Sequence, residues 1–267
     1  MGLAGGGTPT ATNSAGAGNT PTAGSVKING SNLGSALAGT IPATKLSANT
    51  TAGFSVVTFT GTQTAATVAH GLSQAPEMFI LKNATNTSNS EWAVYSNQLP
   101  SANYYLALNT TAAQDQDTNR FNDTAPTSSV FSVGSGWTTN GTGNTMVVYC
   151  FHSVDGYSKV GKYSANGSAD GPFIYTGFQP ALVIIKAMDY NYEWVLFGDK
   201  MNPYNAVNKY LYVNNNNVET VDASGNFDIV SNGFKLRDAS YNNNHPSGAG
   251  FLYYAVADIP FKTSNAR

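Results

Sequence analysis

Short runs of apolar and aromatic residues alternate with turn-forming residues along most of the chain. From Phe54 onward, segments rich in Val, Ile, Phe, Tyr and Thr are separated by clusters of Gly, Pro, Asn and Ser. Runs of about four to eight such residues at roughly ten-residue spacing predict β-strands joined by turns. The continuous apolar runs Phe79–Leu81 and Leu182–Ile185 predict strands that are covered on both faces. Because no segment has a sustained helical period, the pattern predicts an all-β fold.

The chain from residue 53 onward has the pattern of a tandem duplication. Six pairs of segments match in the same order, with an offset of about 100 residues. The pairs are Gly53–Ser55 with Gly156–Ser158, Gln74–Lys82 with Gln179–Lys186, Glu91–Tyr95 with Glu193–Phe197, Tyr105–Leu106 with Tyr210–Leu211, Phe131–Val133 with Phe227–Ile229, and Met146–Phe151 with Phe251–Val256. We therefore expect two β-sandwich-like units, at residues 53–155 and 156–267, or one larger sandwich assembled from both.

Residues 1–52 differ from the rest because they contain no Phe, Tyr or Trp and only two charged side chains, Lys27 and Lys45. Alone, such a segment cannot bury enough apolar surface to offset the entropy of ordering it. Its larger apolar residues recur every four or five positions, and they are Ile28, Leu33, Leu37, Ile41 and Leu46. We expect an extended attachment or oligomerisation strip whose apolar side chains meet copies of themselves or dock on another protein.

Charged residues are few for a soluble protein. There are 13 Lys and Arg and 15 Asp and Glu, or 10% of the chain, whereas soluble domains carry about 25%. The net charge of -2 gives no basic surface for phosphates, so we expect no nucleic-acid partner. No stretch approaches the roughly 18 apolar residues of a membrane span, and the N-terminus lacks a signal-peptide pattern. A surface rich in Asn, Thr, Ser and Gly is typical of extracellular or virion β-proteins.

Residue types that carry catalysis or bind metals are scarce. None of the three histidines, His70, His152 and His245, lies in a nucleophile elbow or a zinc-binding helix motif. Glu91 and Glu193 precede matching tryptophans in the two repeats, and a residue duplicated with its strand is more simply a structural partner. We expect no catalytic residue, no metal and no cofactor, although a carboxylate pair can cleave glycosides and a glycan depolymerase stays open.

Loop composition differs most between the two repeats. The loops of the second repeat are rich in Tyr and Asn, and its candidate ligand-binding residues are Tyr190, Tyr192, Tyr204, Asn216, Tyr241, Asn243 and His245. Tyrosine offers a flat amphipathic face at low entropy cost, and amides offer adaptable donors and acceptors. These loops predict contact with a glycan or receptor. The alternative is that Asn-rich loops merely keep a charge-poor β-protein soluble.

The repeat region resembles virion structural proteins of bacteriophages, in particular tail-fibre-like and virion-surface proteins of marine phages. The segments that carry the resemblance are residues 69–83, 92–95, 122–134 and 164–178. The resemblance implies a virion component, often a homotrimer, which contacts other virion proteins through its N-terminal strip and faces outward with its β-rich body. A tail fibre or short spike that recognises a host-surface glycan is the leading expectation. A capsid decoration or head-fibre protein with a purely architectural role is the alternative.

Overall fold

The structure is a computed structural model that describes residues 26–32, 37–86, 91–202, 204–222 and 226–259. It is nearly all β, with 45% strand and 4% helix, which confirms the predicted fold class. Two compact units are present among these residues. Unit 1 comprises the chain up to Tyr105 together with Asp115–His152, and unit 2 comprises Leu106–Gln114 together with the chain from Ser153 onward. No helix in the described ranges is long and apolar enough to span a membrane.

Unit 1 is built on one large and one small sheet. Its elements are β1 (Val26–Ile28), β2 (Ser31–Asn32), β3 (Ala43–Asn49), β4 (Phe54–Thr60), β5 (Ala66–Ala69), β6 (Met78–Asn83), β7 (Trp92–Ser96), β8 (Tyr104–Ala107), β9 (Asp115–Gln116), α1 (Thr118–Phe121), β10 (Val130–Val133), α2 (Trp137–Asn140) and β11 (Thr145–Phe151). The large sheet has the order β2-β1-β3-β4-β11-β6-β7-β8-β9, and β10 pairs with β5 in the small sheet. The rings of Phe79 on β6 and Phe131 on β10 lie 5.3 Å apart, so the two sheets share a core.

Unit 2 has a six-stranded and a three-stranded sheet. Its strands are β12 (Ser158–Ser164), β13 (Phe173–Tyr175), β14 (Pro180–Ala187), β15 (Val195–Gly198), β16 (Lys209–Tyr212), β17 (Thr220–Val221), β18 (Phe227–Val230), β19 (Gly233–Leu236) and β20 (Gly250–Ala257). The sheet orders are β12-β20-β14-β15-β16-β17 and β13-β19-β18. Phe197 on β15 stacks on Phe227 on β18 at 4.4 Å, and this contact joins the two sheets in one core.

The same order of six strands occurs in both units. The run β4-β11-β6-β7-β8-β9 of unit 1 corresponds, strand by strand along the chain, to β12-β20-β14-β15-β16-β17 of unit 2. In the small sheets, β5 pairs with β10 and β13 pairs with β19. The sequence match of Phe131–Val133 with Phe227–Ile229 was therefore placed one strand too early, because β18 and β19 both carry a buried phenylalanine. A tandem duplication of the sequence stays a prediction.

A buried asparagine holds one loop of unit 1. Asn140 is fully buried, and its Nδ2 donates to the carbonyl oxygens of Thr64 at 2.8 Å and Gly134 at 2.7 Å. Its Oδ1 accepts from the backbone nitrogen of Thr62 at 2.9 Å. The side chain thus satisfies two backbone groups of the turn between β4 and β5 and one at the end of β10.

Asn244 holds the corresponding loop of unit 2 in the same way. Its Nδ2 donates to the carbonyl oxygens of Ser168 at 2.8 Å and Asp238 at 2.7 Å. Its Oδ1 accepts from the backbone nitrogen of Asn166 at 3.0 Å. The two asparagines therefore make the same three types of bond at matching places in the two units, and we call them the asparagine clamps.

Most of the described part of the N-terminal strip lies in the fold of unit 1. β3 pairs with β4, and β1 pairs with β3. Of the apolar residues that we expected to face another chain, four pack in the core of this unit and Leu33 lies outside the described residues. The four are the buried Ile41 and Leu46 and the partly buried Ile28 and Leu37.

The two units of the structure divide the chain at places other than the predicted boundaries at residues 52 and 155. β3 lies between β1 and β4 in the large sheet, and its alternating burial shows that one of its faces packs on the core. The sequence spacing alone could not distinguish this from a surface for a partner. The segment Leu106–Gln114 also falls within unit 2, although it precedes the end of the first predicted repeat. In it, the nitrogen of Gln114 donates to the carbonyl oxygen of Met188 at 2.7 Å.

Candidate functional site

Four of the seven predicted ligand-binding residues form one continuous aromatic group in unit 2. The rings of Tyr190 and Tyr192 stack at 5.5 Å with an angle of 10°. Tyr192 meets Tyr241 edge to face at 5.5 Å, and Tyr241 meets His245 edge to face at 4.3 Å. We call these four residues the tyrosine cluster. Two loops supply it, one between β14 and β15 and one between β19 and β20.

The outer rings of the tyrosine cluster are open to solvent. Tyr190 is 40% exposed and Tyr241 is 58% exposed, whereas Tyr192 between them is partly buried and packs against the core. Burial raises the pKa of Tyr192, and the neighbouring phenols of Tyr241 and Tyr190 raise it further. The phenol of Tyr192 therefore stays neutral at physiological pH, and the three tyrosines together present ring faces and hydroxyl groups to an external ligand.

A buried lysine fixes the backbone beneath the two stacked tyrosines. Lys186 on β14 is fully buried, and its Nζ donates to the carbonyl oxygens of Thr111 at 2.9 Å, Tyr190 at 3.3 Å and Tyr192 at 2.6 Å. These acceptors match the three donors of an ammonium group. Burial lowers the pKa of Lys186 to about 8, and the charge of Glu193 opposes this shift. We call this arrangement the lysine anchor.

The segment Leu106–Gln114 supports the same loop through side-chain amides. The backbone nitrogen of Ala113 donates to Oδ1 of Asn191 at 2.8 Å. Nε2 of Gln114 donates to Oδ1 of Asp189 at 2.7 Å. The loop that carries Tyr190 and Tyr192 is consequently bound at several successive residues, which lowers the entropy that its tyrosines would lose on binding a ligand.

Asn243 does not belong to the accessible surface. It is only 2% exposed, and its carbonyl oxygen accepts from the hydroxyl of Tyr163 at 2.6 Å. Its side chain also bonds to Asp238. The sequence predicted a ligand contact here, but this amide is used inside the fold to hold the loop that carries Tyr241. In an Asn-rich loop, the pattern alone does not identify which amide turns inward.

Tyr204 and Asn216 lie outside the tyrosine cluster. Tyr204 is 81% exposed and lines a cleft of about 220 Å³ together with Gln179, Asp199 and Asn202. Gln179 precedes β14 and the other three residues follow β15, whereas the tyrosine cluster includes the loop between these two strands. Asn216 is exposed on the loop between β16 and β17.

The glutamates that kept the depolymerase alternative open have structural partners. Oε2 of Glu91 lies 2.5 Å from Nη2 of Arg120. Oε2 of Glu193 accepts a short hydrogen bond from Nδ2 of Asn214, and the backbone nitrogen of Glu193 donates to Oδ1 of Asn242 at 3.2 Å. Each carboxylate therefore holds a loop of its own unit.

Sequence reasoning missed the lysine anchor and the buried Arg120. The signal for the first was available, because Lys186 directly follows the apolar run Leu182–Ile185 in a predicted fully covered strand. A lysine in such a place must find acceptors or lose its proton. Arg120 gave no comparable signal, because its short helix has no apolar periodicity.

The described ranges contain no group of three or more His, Cys, Asp and Glu side chains arranged to hold a metal ion. Comparison with curated proteins and with solved structures finds no match to this chain. A family model does match, over residues 4–260, and it spans both units. The chain therefore belongs to the family described as a domain of unknown function, DUF7483.

Proposed function

We propose that this protein is a structural component of a bacteriophage particle and that its tyrosine cluster binds saccharides of the host surface. The virion part of the proposal rests on the resemblance of the repeat sequence to phage tail-fibre-like and surface proteins. In this proposal the chain acts without a cofactor, as a tail fibre or short spike, assembled with further copies of itself and with other virion proteins. Its C-terminal unit faces the host.

The observation that carries the binding proposal is the exposed, continuous stack of aromatic rings in the tyrosine cluster. Sugar rings present apolar C–H faces that pack on aromatic rings, and their hydroxyl groups exchange hydrogen bonds with phenols and amides. Asn191 is exposed beside Tyr190, and Asn242 is partly exposed beside Tyr241. The cluster therefore combines stacking surface and polar groups within one small area.

The lysine anchor strengthens this proposal because it holds the cluster in place before a ligand arrives. Loops that must become ordered on binding lose part of their interaction energy, and a preorganised surface avoids that loss. One buried ammonium group holds three carbonyl oxygens. A loop that only kept the protein soluble would not need these hydrogen bonds. A surface of phenol and amide groups favours a neutral polysaccharide over a strongly charged one.

The test is binding of the purified full-length chain to host cells and to an array of bacterial surface glycans. Tyr190→Ala and Tyr241→Ala remove exposed rings, and we expect the double variant to lose at least about tenfold in affinity, since a stacked ring contributes about 1.5 kcal/mol. Tyr204→Ala is the matched control, because it removes a more exposed tyrosine outside the cluster.

Equal binding by the double variant and the wild type would contradict the assignment of the site. Absence of any binding to host cells or glycans would contradict recognition as such, and it would support the architectural alternative. A release of reducing ends from host polysaccharide that Glu91→Gln or Glu193→Gln abolishes would instead identify a depolymerase.

A further inference from the structure

The N-terminal strip covers one edge of the small sheet in unit 1. The backbone nitrogens of Thr40 and Ile41 donate to the carbonyl oxygen of Thr67 on β5, at 2.9 and 3.0 Å. The backbone nitrogen of Thr67 donates to Oγ1 of Thr40 at 2.8 Å, and Ile41 forms a parallel bridge with Val68. Both backbone groups of Thr67 are therefore satisfied by the strip.

The corresponding edge in unit 2 is β13, and in the described ranges it has a strand partner on one side only, β19. Phe173 and Tyr175 on this strand are 47% and 59% exposed. The residue between them, Ile174, is buried at the place that Val68 occupies in unit 1. Nζ of Lys159 on β12 donates to the carbonyl oxygen of Tyr175 at 3.2 Å and lies 5.4 Å from the centroid of its ring. The open part of this edge is therefore at Phe173, where another chain can pair.

The hydrogen-bond alternation places the backbone groups of Phe173 on the uncovered side. The nitrogen of Leu236 donates to the carbonyl oxygen of Pro172, and the nitrogen of Thr176 donates to the carbonyl oxygen of Asn232. Residues 172, 174 and 176 thus face β19, because successive residues of an antiparallel pair alternate between the two sides. The N–H and C=O groups of Phe173 point the other way, as those of Thr67 do in unit 1.

The sequence of the N-terminus contains two segments that resemble the one covering β5. The covering segment is Thr40-Ile41-Pro42-Ala43, and the similar segments are Thr8-Pro9-Thr10-Ala11 and Thr20-Pro21-Thr22-Ala23. Each keeps the threonine whose N–H and hydroxyl serve Thr67, but a proline, which has no N–H, stands where Ile41 makes the second bond to the carbonyl oxygen of Thr67. Each also has a proline, and proline-containing extended segments dock on aromatic surfaces. Neither carries a charge that would be desolvated on the edge.

The two segments differ in the length of chain that connects them to β1. Residues 12–25 connect Ala11 to β1, and such a connection can extend to at most about 50 Å. Ala23 is separated from β1 by only two residues, Gly24 and Ser25, so this segment stays close to its own unit 1. The first segment can therefore leave its own fold, and exchange of an extended terminal element between copies is a low-cost route to oligomers.

We propose that the β13 edge of unit 2 binds the segment Thr8–Ala11 of a second copy of this chain. Thr8 takes the place of Thr40 and pairs with the backbone of Phe173. Pro9 and Thr10 cover the exposed rings. Since each copy has one donor segment and one acceptor edge, the contact is head to tail, and it gives a closed ring such as a trimer where the rotation between copies closes. The proposal does not depend on saccharide binding.

A disulfide cross-link can test whether the segment Thr8–Ala11 of one copy lies on the β13 edge of another copy. In unit 1, Ile41 bridges Val68 in the parallel sense, which puts Thr10 opposite Tyr175. Full-length chains carrying Thr10→Cys are mixed under mild oxidation with chains carrying Tyr175→Cys. The matched control partner carries Val221→Cys, an exposed position on β17 at the edge of the other sheet. The native Cys150 is buried, and burial raises its pKa to about 12, so this thiol stays unreactive.

We expect the Tyr175→Cys chain to form at least about tenfold more covalent dimer with Thr10→Cys than the control does. Equal yields from both partners would overturn the proposal. A chain that carries Thr10→Cys and Tyr175→Cys together and links mainly within itself at low concentration would also overturn it, because the donor would then come from the same copy.

The association of copies can also be measured on chains without introduced cysteines. The double variant Phe173→Lys/Tyr175→Lys places lysines on the acceptor edge, where they discourage strand pairing, and both positions are exposed enough for the fold to tolerate them. Light scattering should show that this variant dissociates at concentrations where the wild type and the control Leu211→Lys/Val221→Lys remain associated. A wild type that is monomeric at every concentration would overturn the proposal, and so would unchanged association of the variant.

Discussion

Unit 1 and unit 2 order six strands in the same way but complete their edges and loops differently. In unit 1 the N-terminal strip extends the large sheet beyond β4 and covers the edge of β5. In unit 2 the matching strands β12 and β13 are edge strands in the described residues, and two aromatic residues on β13 are exposed. The same strand order is thus compatible with covered edges in one unit and with edge strands at the matching places in the other.

The residues around the loops before β7 and β15 also differ, because a tyrosine ring is covered in unit 1 and tyrosine rings are exposed in unit 2. In unit 1, Arg120 is 9% exposed, pairs with Glu91 and lies 3.7 Å above the ring of Tyr105. This tyrosine face is therefore occupied by the protein's own guanidinium group. In unit 2 the matching glutamate bonds to an amide, and the tyrosines beside it face solvent.

The asparagine clamps should give the largest effect, and it should be nearly equal in the two units. Asn140→Ala and Asn244→Ala each remove three amide hydrogen bonds to backbone groups, which contribute about 1 kcal/mol each. An orphaned group that is buried, such as the carbonyl oxygen of Gly134, costs up to about 3 kcal/mol. We expect each variant to lower the free energy of unfolding by about 3–4 kcal/mol, measured by chemical denaturation. A difference between the two greater than about half of this loss would show that the matching bonds do not have matching roles.

Loss of the lysine anchor in unit 2 should lower the free energy of unfolding more than the matching substitution in unit 1. Lys186→Met leaves three carbonyl oxygens without their charged donor, and we expect a loss of about 2–3 kcal/mol. Lys82→Met at the matching position of β6 is the control, with a loss below about 0.5 kcal/mol expected, because Lys82 is only partly buried and surface substitutions have small effects. Denaturation curves of both variants measure this directly, and equal losses would contradict the anchor.

The carboxylate of Asp238 should make the stability of unit 2 depend on pH. In unit 1, burial lowers the pKa of His70 from 6.5 to about 4, so this group changes stability with pH in the opposite sense. Burial raises the pKa of Asp238 from 3.8 to about 6, and the negative charge of Asp222 adds to the shift. With its amide nitrogen turned toward the two carboxylates, Asn226 donates to Oδ2 of Asp222 at 3.1 Å and of Asp238 at 2.7 Å. At the matching position unit 1 has Gly134, which does not titrate.

Because the pKa of Asp238 is higher in the folded state, the folded protein binds more protons between pH 3.8 and about 6. This contribution to stability is complete below pH 3.8 and is lost as pH rises through 6. With allowance for solvent screening of this partly exposed group, we expect the wild type to lose about 1–2 kcal/mol more than Asp238→Asn between pH 4 and pH 7. Parallel pH profiles for both proteins would contradict the assignment.

The fold class could be predicted from sequence because strand periodicity is a local property. Phe79–Leu81 and Leu182–Ile185 do lie in β6 and β14, and the Tyr- and Asn-rich loops of residues 190–192 and 241–245 do meet. Strand partners are non-local, and the pattern could not identify them. Hence the spacing around Leu46 was assigned to a partner chain, and the place of Leu106–Gln114 in unit 2 was not foreseen.

The roles of individual polar side chains were the least predictable part. Asn243 and Asn191 stand in similar Asn- and Tyr-rich sequences, yet the first is buried and the second is exposed. An amide can bond equally well to water or to a backbone group, so the choice depends on which turn the loop adopts. The same reasoning explains why neither asparagine clamp could be recognised from composition.

The most direct test of the account is a saccharide titration of the full-length chain labelled at the ring carbons of tyrosine and followed by NMR. The account predicts that a host-surface glycan shifts the resonances of Tyr190, Tyr192 and Tyr241 in a saturable manner. It also predicts that the unit 1 residues Tyr104 and Tyr105 keep theirs. Saturable shifts confined to other tyrosines, or none with any host glycan, would contradict the claim that unit 2 carries the recognition surface.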